Sequence, residues 1–125
     1  MVSSFGCTDV VSYVSDSEIT TADLDKYKMK ILPVSPASGD DIKLVVYEEC
    51  RYNKLIGVKR DGTTIAIEKQ HNSMIMAPCV LTNDTILIGK LPGGTYRVNY
   101  KLVDIAYPPA GKTTFAVSFK LVVAK

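Results

Sequence analysis

The sequence predicts an all-β protein, a single antiparallel β-sandwich of about seven strands. Three observations carry that expectation. Val, Ile, Thr, Tyr and Phe, the residues that suit a pleated surface, number 44 of 125, against 17 for Leu and Ala together. Short alternating segments recur at intervals of about 10–12 residues, divided by clusters of Gly, Pro, Asn and Asp. Beyond the amino-terminal stretch, no segment shows the 3.6-residue period of an amphipathic helix.

The elements follow in order. Residues 1–25 are rich in Ser, Thr and Asp around one apolar cluster, Val10, Val11, Tyr13 and Val14, and read as a flexible amino-terminal segment with one edge strand; the sandwich domain is expected over 26–125. Lys26 to Leu32 alternates, with Tyr27, Met29 and Ile31 on one face and Lys26, Lys28 and Lys30 on the other, as in a half-buried strand. Pro33, Pro36, Ser38, Gly39 and Asp40 mark a loop. The near-continuous run Leu44-Val45-Val46-Tyr47 places the strand Ile42–Glu49 centrally in its sheet, covered on both sides. Leu55–Lys59 and Thr63–Lys69 flank Arg60-Asp61-Gly62, and an Asp-Gly pair supplies the positive backbone angles of a tight hairpin turn. Val80–Leu81 and Asp84–Ile88 read as two strands divided by Thr82-Asn83. In the last third, Tyr96, Val98, Tyr100 and Leu102 share a face, the loop Tyr107-Pro108-Pro109-Ala110-Gly111 turns the chain, and Phe115, Val117, Phe119, Leu121 and Val123 share the next.

Composition sets the class. Apolar residues at 46% and charged residues at 22% are ordinary for a folded domain and exclude a disordered tail, a collagen-like repeat or a supercharged binder. Apolar runs are too short for a transmembrane helix, and the amino terminus lacks the apolar stretch of a secretion signal, so a soluble chain is expected. The net charge of +2 conceals an asymmetry of −5 over residues 1–50 and +7 over 51–125. An antiparallel fold mixes the two halves on one surface, and without basic clusters interleaved with aromatics no nucleic-acid partner is expected.

Three cysteines occur, Cys7, Cys50 and Cys79, with no metal-ligand spacing. Cys50 and Cys79 each adjoin an expected strand and are the candidate disulfide, the other reading being two buried thiols. Cys7 follows Ser3-Ser4-Phe5-Gly6, a setting that resembles the end of a bacterial lipoprotein signal: Gly6 fits, Ser4 stands where Leu is usual, and the upstream apolar stretch is missing. Cys7 is the lipidation candidate, the other reading being a free thiol in a frayed terminus, and membrane association is expected only through that anchor.

The stretch Ile86-Leu87-Ile88-Gly89-Lys90-Leu91-Pro92-Gly93-Gly94-Thr95-Tyr96-Arg97-Val98-Asn99-Tyr100 resembles the E–F corner of immunoglobulin-like and fibronectin-like sandwiches. The resemblance implies that Leu91 plugs the core, Gly94 permits the turn and Tyr96 is the corner tyrosine. Two features depart from antibody domains: the chain has no Trp, and Val98 stands where a Cys would follow the tyrosine. With the Cys7 context, the chain resembles small secreted or lipid-anchored Ig-like proteins of the Bacteroides type, which implies a secreted, periplasmic or envelope-anchored module.

Chemistry is sparse. His71 is the only histidine, so a hydrolase would have to build on it, with Cys79 or Cys50 as nucleophile; no family signature surrounds either cysteine, and bonding them to each other removes both nucleophiles. Glu48 and Glu49 are adjacent on a strand and point to opposite faces, which excludes them as a glycosidase pair. Asp23, Asp25, Asp40 and Asp41 lack the spacing of a calcium loop, and Gly93-Gly94 lacks the Lys-Ser/Thr and helix of a phosphate cradle, so no metal or cofactor is expected. Two loops remain as binding candidates. Met74-Ile75-Met76, ahead of Pro78 and Cys79, reads either as a core strand or as an exposed loop of the kind a protease inhibitor presents. Tyr107, Pro108 and Pro109 suit a protein or glycan partner, or a rigid hairpin tip. The expected role is a non-catalytic binding or structural module.

Overall fold

The computed structural model describes the backbone of residues 12–13, and residues 19–75 and 78–125 with their side chains. Its strands are β1 (Ser12–Tyr13), β2 (Met29–Leu32), β3 (Ile42–Cys50), β4 (Lys54–Asp61), β5 (Thr64–His71), β6 (Leu81–Gly89), β7 (Gly94–Asp104) and β8 (Lys112–Val123), with one 3₁₀ helix over Thr21–Tyr27. They form two sheets, a five-stranded one in the order β1-β8-β7-β5-β4 and a three-stranded one in the order β2-β3-β6. The protein is an all-β sandwich. One apolar core lies between the sheets, built from Met29, Ile31, Leu44 and Ile86 on one side and Ile67, Val98, Val117 and Phe119 on the other.

The two-residue alternation sets which face of each strand is buried. Tyr96, Val98 and Tyr100 of β7 and Val117, Phe119, Leu121 and Val123 of β8 are buried, with Phe115 packed partly against them. The β4–β5 hairpin closes between Asp61 and Thr64, with Gly62 at φ +62° and Thr63 at negative φ, the pattern of a type II′ turn. Central β3 carries β2 and β6 on its two edges, as its apolar run requires.

Several details differ from the sequence expectation. The five-stranded sheet is mixed: β5 lies parallel to β7, and β1 parallel to β8. The second strand of the hairpin, β5, and not the first, lies beside β7. Side-chain composition explains the order. β5 turns Ile65, Ile67 and Lys69 fully inward, whereas β4 carries Lys54, Lys59, Arg60 and Asp61 and a register shift at Leu55/Gly57, the makings of a guarded edge.

The sandwich also starts before residue 26. Ile19 O accepts a bond from Lys120 N at 2.8 Å, Asp23 Oδ2 accepts one from Thr20 N at 3.1 Å at the helix start, and Leu24 is completely buried, so that truncating it to Ala would cost roughly 2–5 kcal/mol. Lys26 and Tyr27 belong to the helix, and the strand begins only at Met29, after Lys28 ends the helix at φ +60°. Residues 81–89 form one strand, with Thr82 and Asn83 opposite a bulge in β3.

Candidate functional site

The turn at 51–53, residues 72–75 and 78–80, and the loop at 105–111 gather at one end of the sandwich, because β3, β5 and β7 all finish there and β4, β6 and β8 all start there. Cys50 and Cys79 are disulfide-bonded and tie the end of β3 to the 72–80 loop, with Arg51 N donating to Val80 O at 3.0 Å beside them. A second brace is the buried Asp104 carboxylate. Its Oδ1 accepts from Ser73 N at 3.1 Å and Ala106 N at 3.0 Å, so one oxygen holds two loops. Burial pushes this carboxyl upward, but the bonds from Ser73 and Ala106 and the nearby His71 charge outweigh it and hold the group below the usual Asp range.

On this braced backbone stand large apolar side chains in water. Met74 is 73% exposed, Ile75 61% and Leu81 60%, with Tyr52, Val80, Ile105 and Tyr107 also outside the core. Met74 and Ile75 are thus loop residues and form no core strand. Their loop is shaped locally, Asn72 Oδ1 accepting from Met74 N at 2.9 Å and Asn72 O from Ile75 N at 3.1 Å. Pro78, Pro108 and Pro109 are exposed, and the Lys112 ammonium sits 4.9 Å from the Tyr107 ring centre. Met76 and Cys7 lie outside the described residues. A shallow cavity of about 260 Å³ opens between Tyr52, Ile75, His71 and the disulfide. A larger hollow of about 430 Å³ lies on the outer face of the five-stranded sheet, floored by Gly57, Ala66 and Ala116; within it Ser118 Oγ donates to Asn99 Oδ1 at 2.7 Å and Lys101 stands 3.8 Å from Glu68.

No protein-family model, curated protein or solved structure matches this chain. His71 Nε2 lies 3.3 Å from Thr114 Oγ1, while that hydroxyl donates its proton to Leu102 O at 3.3 Å, so the ring has a donor's place beside Thr114 and no proton to receive from it. The sulfurs of Cys50 and Cys79 are committed to each other. Three of the four acids weighed for calcium serve separate roles: Asp23 caps the helix, Asp40 accepts from Ala37 N at 2.8 Å, and Asp41 pairs with Lys90 at 2.7 Å, a contact that holds its carboxyl low.

At the turn between β6 and β7, Tyr96 Oη donates to Pro92 O at 2.7 Å, Leu91 is 4% exposed, and Gly94 stands at φ +157°. The tightest steric demand there falls on Gly93, where a Cβ would lie 2.9 Å from the Lys125 Cα.

Sequence reasoning missed a polar group inside the sandwich. Lys69, on β5, is completely buried, and its ammonium meets Glu49 Oε1 from β3 and Asp84 Oδ2 from β6. Glu49 Oε2 accepts from Tyr100 Oη at 3.0 Å and Asn53 Nδ2 at 3.2 Å. Burial, then the Glu49 charge, raises the Tyr100 phenol far above its ordinary range, so it stays a donor. The signal was present in part: Lys69 continues the inward series Ile65, Ile67, and Asp84 precedes the inward Ile86 by two residues.

Proposed function

We propose that this chain is a non-catalytic, extracytoplasmic binding module of immunoglobulin-like type, whose ligand face is the loop end carrying Tyr52, Met74, Ile75, Leu81 and Tyr107. One observation carries the reading: large apolar side chains stand in water on backbone that a disulfide and a buried carboxylate hold still. Exposed clusters of that kind mark interaction sites, and a braced loop loses little entropy when it docks. The partner is a protein or glycan surface that covers the aromatic and aliphatic groups. The disulfide supports an oxidising compartment, and among the described residues no helix is long and apolar enough to cross a membrane. The Cys7 lipid anchor rests on its sequence setting, and an intact mass of protein from its natural source tests it.

The reading is tested by measuring retention of secreted proteins and glycans on immobilised wild type, Ile75→Asp and Tyr107→Ala. Ligands held by the wild type and lost by both folded variants support it; identical retention on all three rejects it. A second reading, an inhibitor of a secreted protease, is favoured by the 73% and 61% exposure of Met74 and Ile75 just ahead of Cys79. It predicts inhibition that disappears in Ile75→Asp while the melting temperature is unchanged. A hydrolase built on His71 finds less support, given that Cys50 and Cys79 are bonded to each other.

A further inference from the structure

We infer that Lys69 and Asp84 condense to an intramolecular amide, with Glu49 as the acid–base group between them. The site is built for it. Lys69 Nζ is fully buried and touches two carboxylates, one from each neighbouring strand of the opposite sheet. The two acids are not equivalent. Glu49 is 7% exposed and its second oxygen is filled by Tyr100 and Asn53, which holds it as a stationary proton carrier. Asp84 is bonded to Lys69 alone among the described side chains and is 43% exposed, so its carboxyl is free to react and a departing water has an exit.

The step balances without any co-reactant. The Lys69 ammonium gives up one proton, through Glu49 Oε1, to the Asp84 carboxylate, and the nitrogen lone pair then forms a bond to Cγ of the neutral Asp84 carboxyl. A second proton leaves the nitrogen, again through Glu49. Both protons depart with one Asp84 oxygen as water, the Cγ–O bond breaks, and Glu49 ends as the carboxylate it began as. Holding amine and carboxyl in contact replaces a bimolecular encounter by a unimolecular one, an effect that reaches effective concentrations of about 10⁵ M and more in well-oriented cases. The product also suits the interior better. A buried ammonium carries three N–H groups, and Lys69 has two acceptors among the described residues. An amide nitrogen carries one, which Glu49 Oε1 receives, and the cost of burying an ammonium disappears. Glu49 then accepts from Tyr100, Asn53 and the amide. The link joins β5 of one sheet to β6 of the other.

Mass spectrometry decides the matter. Wild-type protein, reduced and alkylated, is expected to weigh one water less than its sequence, and trypsin is expected to leave Lys69 uncut, yielding Asp61–Lys90 as one peptide that is also one water light. A succinimide at Asp61-Gly62 would lose the same mass but leave Lys69 cleavable. Asp84→Ala and Glu49→Gln should each restore the full mass and cleavage at Lys69. Wild type of full mass, giving separate Asp61–Lys69 and Gln70–Lys90 peptides, overturns the proposal and leaves an ion triad. Water loss retained in Asp84→Ala overturns the assignment of the acyl partner, and linkage retained in Glu49→Gln overturns the role of Glu49.

Discussion

Glu48 turns its backbone to φ +54° and donates its N–H to the Asn83 side chain at 3.2 Å across the β3–β6 ladder. The pair forms a β-bulge: Val46 faces Asp84 and Glu49 faces Thr82, so two residues of β3 oppose one of β6. Without the extra residue, the alternation that buries Ile42, Leu44 and Val46 would turn Glu48 inward and Glu49 to solvent. The bulge reverses them, leaving Glu48 outside against Lys28 at 2.8 Å and Glu49 inside against Lys69.

The bulge is expected to invert the usual strand preference at position 48. Glu48→Gly gives up an exposed ion pair worth about 0–1 kcal/mol but relieves a left-handed backbone, so its stability should stay within about 1 kcal/mol of wild type. Glu48→Val, favourable in an ordinary strand, should lose roughly 1–3 kcal/mol here. Urea unfolding of both variants checks the order; Val equal to or better than Gly would contradict the bulge.

Tyr96→Phe removes the hydroxyl that bonds Pro92 O and leaves that carbonyl without its partner. The expected loss is about 1–2 kcal/mol with the fold intact, read from the denaturant midpoint at unchanged slope.

Cys50 and Cys79 close a span of 29 residues. On the chain-entropy account, replacing both with Ser should cost about 3–4 kcal/mol. The same change should speed proteolysis within the 72–80 loop more than elsewhere, which timed digestion with peptide mapping would show.

Asp104 should make the loop end sensitive to acid. Its carboxyl is held below the ordinary Asp value of about 3.9, so the stabilisation it provides is complete above that value and falls away as pH drops through its depressed folded value. Asp104→Asn keeps an oxygen for Ser73 N and Ala106 N but loses the charge. Stability measured between about pH 5 and pH 2 should fall more steeply for wild type than for this variant.

Much of the architecture was legible along the chain. Alternation in 96–100 and 115–123 identified the buried faces of β7 and β8, while a register shift at Leu102/Val103 leaves Leu102 half-buried and turns Val103 inward instead; Asp61-Gly62 located the hairpin, and the apolar run at 44–47 indicated a central strand. Leu91, Gly94 and Tyr96 marked a corner whose tyrosine does bond back to Pro92. Cys50 and Cys79 were paired from their places beside strands. The helix at 21–27 escaped because seven residues of 3₁₀ geometry show too little period to register, and Thr82-Asn83 was misread as a break because polar residues opposite a bulge look like a turn.

What a two-residue period encodes is which way each side chain points, and that is local physics readable in order. Which strand lies beside which is a contest between distant segments for the same edge, settled by packing: β5 displaced β4 next to β7 because only β5 has a fully inward face to bury. The interior group of Lys69, Glu49 and Asp84 arises the same way, from three strands meeting across two sheets and one inserted residue that turns a glutamate around.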